Sequence, residues 1–168
     1  MKIIHKIVLL ILMSTLGLFA STESGKWKFT TEDLYTMDSK EKEILSIARQ
    51  VGYAHGVGDA LVHIAGVETR LGSVKSISRY HCGSMQVSTK WAGVSCNALE
   101  NNIYLSMELA VKNLKGWLVY HKGDMRKAMV SYNGGYGYNP HGKEYLRRID
   151  QVKYALKVVE RIHKVQIT

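Results

Sequence analysis

Glu68 is the side chain in this sequence whose type and setting first point to chemistry. Ile64, Ala65, Val67 and Leu71 surround it, and the helical segment that carries it is otherwise built of apolar residues. A carboxyl group in such company is partly desolvated, which favours its neutral, protonated form. An acid that keeps its proton near neutral pH can give it to a glycosidic oxygen and later take one back. The competing reading is a structural glutamate on the solvated side of an amphipathic helix, paired with Arg70, and periodicity alone favours that reading.

Other chemistries find little footing. His55, His63, His81, His121, His141 and His163 are scattered, without His-Glu-x-x-His or Cys-x-x-Cys spacing, so no metal site is expected. Gly56-Val57-Gly58 and Gly135-Tyr136-Gly137 each lack the third glycine of a dinucleotide loop, and no Gly-x-Ser-x-Gly nucleophile elbow occurs. No cofactor is expected. Two-carboxylate glycosidases place their acids about 5–5.5 Å apart when retaining and about 6.5–9.5 Å apart when inverting. After Glu68 the next acid in the chain is Glu100, and Asp59, earlier on the same helix, falls on the opposite face. A second acid delivered from Asp124 or Glu144 remains possible in three dimensions.

The elements that must position Glu68 are helices. Asp38 and Glu41 form a capping box ahead of Ile44, Leu45, Ile47, Ala48 and Val51, which keep helical spacing as far as Gly52. Asp59 is placed to cap a second helix, whose apolar residues run from Leu61 to Val67 and whose last turn holds Glu68. From Gly72 to Trp91 the periodicity lapses, which predicts loop with at most short strands. A long helix is expected from about Leu99 to His121, a short one after Asp124, a Gly- and Tyr-rich turn over 132–142, and a closing helix from about Lys143. The fold class is therefore all-α or an α-dominated α+β arrangement, one domain with about five main helices.

The start of the chain has the layout of a secretory signal: Lys2, His5 and Lys6, then an apolar run from Ile7 to about Ala20, then small and polar residues. The run is shorter than the roughly 18–20 residues a spanning helix needs. Residues 1–20 are accordingly expected to be a signal peptide, 21–37 an irregular lead-in and 38–168 the folded domain, with no membrane span retained. An exported protein, periplasmic or extracellular, is the expectation. Its net charge of +9, from 23 Lys and Arg against 14 Asp and Glu, stays positive without Lys2 and Lys6. For an exported chain such charge suits cell-wall polymers or anionic lipids, or solubility alone. No nucleic-acid partner is expected, since no zinc-finger, basic-zipper or RNA-binding pattern accompanies it. In an oxidising compartment Cys82 and Cys96 are expected to pair.

Four blocks then carry a family resemblance. Ile64-Ala65-Gly66-Val67-Glu68-Thr69-Arg70-Leu71 resembles the Glu-Ser motif of lytic transglycosylases, and Gly83-Ser84-Met85-Gln86-Val87 resembles their Gly-Leu-Met-Gln-Ile motif. Met129-Val130-Ser131-Tyr132-Asn133-Gly134-Gly135 resembles their Ala-Tyr-Asn-Ala-Gly motif, and Tyr145-Leu146-Arg147-Arg148-Ile149 their closing Tyr-Val. The blocks occur in the family's order and span most of the chain after the signal. Thr69 stands for the usual serine, Ser84 for a leucine and Gly134 for an alanine, and the stretch between Glu68 and Gly83 is short.

The resemblance implies a lysozyme-like fold and cleavage of the MurNAc–GlcNAc bond of peptidoglycan glycan strands, with Glu68 as catalytic acid and base. It implies that Ser84, Met85, Gln86, Tyr132, Asn133 and Tyr145 hold the glycan, the two tyrosines through a flat apolar face. Two alternatives use the same residues: a muramidase that hydrolyses with water, and a non-catalytic wall-binding protein. By size alone, so small a domain suits a wall-opening enzyme of a secretion or conjugation apparatus better than a bulk recycling enzyme.

Overall fold

Leu61, Val62, Ile64 and Ala65 lie consecutively enough along one helix to make it apolar all round, and a helix of that kind belongs in the centre of a molecule. The computed structural model describes residues 27–75, 78–136 and 139–167 and places that helix at the heart of a helix-dominated domain. Its described elements are α1 (Thr31–Tyr35), α2 (Ser39–Ala54), α3 (Ala60–Thr69), β1 (His81–Cys82), β2 (Val87–Ser88), α4 (Thr89–Ala92), α5 (Cys96–Asn101), α6 (Ile103–Tyr120), α7 (Met125–Gly134) and α8 (Gly142–Ile167). The expected signal peptide, 1–20, lies outside the described residues. Among those that are described, no helix is long and apolar enough to cross a membrane.

Helix α3 packs against α2, α6 and α8, while α7 bridges α6 and α8. Helices α3 and α8 approach closely at Gly66, where a Cβ would lie 2.8 and 2.9 Å from the two methyl groups of Val152 on α8. That glycine lets α8 press directly on α3. Val152 lies seven residues after Tyr145, two turns along one face of α8, so the same contact brings Tyr145 to the end of α3.

Helix α2 begins on the expected capping box: Asp38 Oδ1 accepts from Glu41 N at 2.8 Å, and Glu41 Oε2 accepts from Asp38 N at 2.7 Å. Asp59, expected to cap α3, makes no side-chain cap bond and instead accepts from Arg49 Nε at 3.2 Å. An ion pair to α2 has displaced the cap. Within the segment expected to be irregular, Thr30 and Asp33 form their own capping box and Thr31–Tyr35 is helical, with Leu34 buried. The helix expected over 99–121 is broken at Asn102, whose extended backbone ends α5 and whose side chain accepts from Leu105 N at 2.9 Å to start α6. The turn expected over 132–142 begins later, because α7 runs on through Tyr132, Asn133 and Gly134.

The two short strands pair antiparallel, His81 with Ser88 and Cys82 with Val87. They hold the turn over 83–86 against the core, and Cys82 is disulfide-bonded to Cys96 at the start of α5, with their Cα atoms 5.3 Å apart. Closing a loop of this size restricts the unfolded chain by about 3 kcal/mol. Gly83, at φ 72°, is required there: a Cβ would sit 2.8 Å from both the Leu99 carbonyl oxygen and Ser106 Oγ.

Candidate active site

Helix α3 stops one residue after Glu68, at Thr69. Arg70 and Leu71 take left-handed φ values of 49° and 60°, and Leu71 N reaches back to the Ala65 carbonyl at 3.1 Å. Such a φ is costly for residues with a Cβ. Both are over-determined by what they pack against: Leu71 is fully buried, and the Arg70 guanidinium is bonded to the Asp33 carboxylate. The pairing of Arg70 with Glu68 considered from sequence is therefore replaced by a pairing with Asp33 on α1.

Freed of that partner, Glu68 meets neutral donors. The Tyr145 hydroxyl donates to Glu68 Oε1 at 2.8 Å, and the Asn133 side chain also hydrogen-bonds the carboxyl group. Arg148, one turn beyond Tyr145 on α8, acts through its charge. Burial outweighs all three and raises the Glu68 pKa above the ordinary 4.5. The position at a helix C-terminus, where the backbone presents partial negative charge, works in the same direction. The Glu68 residue nevertheless keeps part of its surface exposed. Tyr145 and Tyr132 both have pKa values pushed well above 10, first by burial and then by the neighbouring carboxylate, so both remain hydroxyl donors.

Two hydroxyls clamp the turn over 83–86 to this centre. Thr69 Oγ1 donates to the Ser84 carbonyl at 2.9 Å and accepts from Gly72 N at 3.0 Å. The Tyr132 hydroxyl donates to the Met85 carbonyl at 2.8 Å. One clamp comes from the residue after Glu68 and the other from the residue before Asn133. The turn thus joins the ends of α3 and α7, and it does so through the backbone carbonyls of Ser84 and Met85.

The residues expected to hold a glycan consequently divide. Asn133 and Tyr145 meet at Glu68, and Tyr132 stands beside them. Tyr145 is 4% exposed, so it has no free face for a sugar ring and serves as a hydrogen-bond donor instead. Met85 is fully buried and contributes its carbonyl, while its side chain packs in the core. Ser84 Oγ is buried without a hydrogen-bond partner among the described residues. Gln86, at φ 49°, donates Nε2 to the Gly83 carbonyl at 2.9 Å, which leaves its side-chain oxygen for a ligand.

Thr69 and Arg148 are members of the site that residue types did not single out. Arg148 carried a signal in its spacing, three positions after Tyr145 on one helix face. Of the two candidate second acids, Asp124 caps α7 by accepting from Lys127 N at 3.0 Å. Glu144 is held by Arg147 and Arg148, which bring its pKa down to about 2 and make it a weak base. The groups that set the charge of Glu68 are a phenol, an amide and a guanidinium, and none is an acid. Among the described residues no group of three or more His, Cys, Asp or Glu is placed to hold a metal.

Comparison of the chain with protein-family models, with curated proteins and with solved structures finds no match.

Proposed function

We propose that the protein is a peptidoglycan lytic transglycosylase acting through Glu68 alone. The observation that carries this reading is a single carboxyl group, raised in pKa by burial and hydrogen-bonded by Tyr145 and Asn133 rather than by an opposing acid.

In the proposed reaction protonated Glu68 gives its proton to the oxygen linking MurNAc to GlcNAc. The bond from that oxygen to MurNAc C1 breaks, and C1 becomes oxocarbenium-like. Glu68, now a carboxylate, takes the proton of the MurNAc C6 hydroxyl, and that oxygen closes onto C1 as a 1,6-anhydro ring. Glu68 ends the cycle protonated, and no water is consumed. Tyr145 and Asn133 steady the carboxylate between its two proton transfers, while Arg148 offsets its transient charge. A raised pKa suits the first transfer, and a half-open position suits the second. No metal or cofactor takes part. The proposed substrate and the signal-like start of the sequence support a site of action outside the cytoplasm, in the bacterial envelope, with a secretion or conjugation apparatus as a fitting associate.

Digestion of purified sacculi followed by mass spectrometry tests the reading. Muropeptides lighter by one water than hydrolytic products are expected. Products carrying the full water would make the protein a muramidase with the same acid, and intact sacculi bound but uncut would leave only a wall-binding protein.

A further inference from the structure

Helix α8 outruns the core it packs on. Tyr145, Ile149, Val152, Ala155 and Leu156 turn one face of it inward, whereas every residue from Glu160 to Lys164 is exposed. The protruding end is held in place, since the His163 ring lies 6.5 Å from that of Tyr35 on α1.

Lys153, Lys157, Arg161 and Lys164 recur along this helix at intervals of four, four and three. At about 100° and 1.5 Å per residue they fall within roughly 80° of one another, on the side away from the core, in a stripe about 16 Å long. All four are exposed, and none is in an ion pair with a described residue. The acids that share the face are already neutralised from neighbouring helices: Asp150 accepts from both Arg126 terminal nitrogens at 3.0 and 3.2 Å, and Glu160 is paired with Arg49. The stripe is therefore uncompensated. Like charges four apart on a helix are destabilising, so the fold gains nothing from Lys153, Lys157 and Arg161 in this register. A partner of opposite charge removes that cost.

The shape of the stripe selects the partner. It is the convex ridge of a straight helix, with flexible lysine point charges predominating over forked guanidinium groups. Such a ridge meets a plane of mobile headgroups more fully than it grips one polymer chain, and four to eight basic residues on a helix face suit anionic lipid. Tyr154 borders the stripe, 70% exposed, with the apolar ring and polar tip that settle at headgroup level.

We propose that this face of α8 docks the protein on an anionic phospholipid surface. Lys153, Lys157, Arg161 and Lys164 meet the lipid phosphates, and the helix lies along the surface without entering it. Glu68 takes no part in the contact.

Co-sedimentation of the full chain with vesicles of phosphatidylcholine, and of an equal mixture with phosphatidylglycerol, tests the docking face. The apolar run from Ile7 to Ala20 is common to every variant, so the readout is the preference for anionic vesicles. The wild type is expected to prefer them by at least about a hundred-fold at low salt, and less as salt rises. Lys153→Gln, Lys157→Gln and Arg161→Gln together should abolish most of that preference while melting no lower than the wild type. Lys112→Gln, Lys115→Gln and Lys122→Gln remove the same charge from α6 and its end, and should keep most of it. No preference in the wild type, or equal loss in the two triple variants, would overturn the docking face. Soluble polyphosphate bound as tightly as the anionic vesicles, with the same dependence on the stripe, would overturn the lipid surface as its partner.

Discussion

Glu68 and Glu144 both feel Arg148, and the guanidinium serves them differently. Glu144 lies partly exposed at the start of α8, accepts from Arg148 Nε at 3.0 Å and from Arg147 Nε at 2.6 Å, and has its pKa pulled down to about 2. Arg148 also lies over the Trp27 ring, 5.3 Å from its centroid, so its position is set from that side. Glu68 senses the same cation through its charge only, and burial prevails to raise its pKa. Glu144 immediately precedes Tyr145, the donor to Glu68, so the two environments are one residue apart on a helix. Burial at Glu68 and direct arginine hydrogen bonds at Glu144 decide which glutamate keeps its proton.

Replacing Glu68 by Gln should break this contrast most severely. Shape is kept and both proton roles are lost, so wall cleavage should fall by about 10²–10⁴-fold. The fold should not suffer. An acid whose folded pKa is raised contributes stability below the unfolded value, and that contribution is lost as pH rises through the folded value. At pH 7 the wild type therefore carries a penalty that Gln lacks, and the variant should melt at the same temperature or higher, the gap closing towards pH 4. A wild type that melts well above the variant at pH 7 would show Glu68 to be a stabilised, ionised group.

Thr69→Ala comes next. It leaves the Ser84 carbonyl and Gly72 N without their shared hydroxyl, at a cost of about 1–3 kcal/mol in chemical denaturation. Thr69→Ser should recover most of the loss, and equal stability of all three proteins would remove the clamp from the account of the site.

Tyr145→Phe sharpens the comparison from the other side. Its hydrogen bond favours the ionised form of Glu68, so its removal should move the alkaline limb of the activity profile to higher pH, with turnover lower by about ten-fold. A limb that moves to lower pH would contradict the assigned role. Glu144→Gln should have the smallest effect. Stability should change by less than about 1 kcal/mol, as expected of exposed pairs, and the unneutralised Arg148 should shift the same limb slightly towards lower pH.

Much of this arrangement can be read from the chain. The apolar spacing of Ile44 to Val51, the all-round apolarity of α3 and the spacing of Ile149, Val152, Ala155 and Leu156 locate three of the helices that build the site, because burial imposes that periodicity. Glu68 is visible for the same reason, as the one carboxyl group near the end of a buried helix. Its partners are not. Tyr145 meets it across 77 positions and Tyr132 meets Met85 across 47, contacts set by how α3, α7 and α8 pack, with Gly66 permitting the approach. Glycines at 134 and 135 read as an early turn, whereas the helix holds through Gly134 and ends at Gly135, where φ reaches 71°. The break at Asn102 is masked by flanking residues that suit a helix, although an asparagine three positions before Leu105 is itself a cap signal. The loss of the Asp59 cap follows from Arg49, ten residues away on another helix, and no local rule reports it.

Carbon-13 NMR titration of the glutamate side-chain carboxyl groups in the wild-type protein bears most directly on Glu68 as a proton donor. The resonance of Glu68, assigned by its absence in Glu68→Gln, should titrate above 4.5 while that of Glu144 titrates near about 2. A Glu68 resonance that titrates at or below 4.5 would mean that the group is ionised before substrate arrives, and the single-acid mechanism would fail.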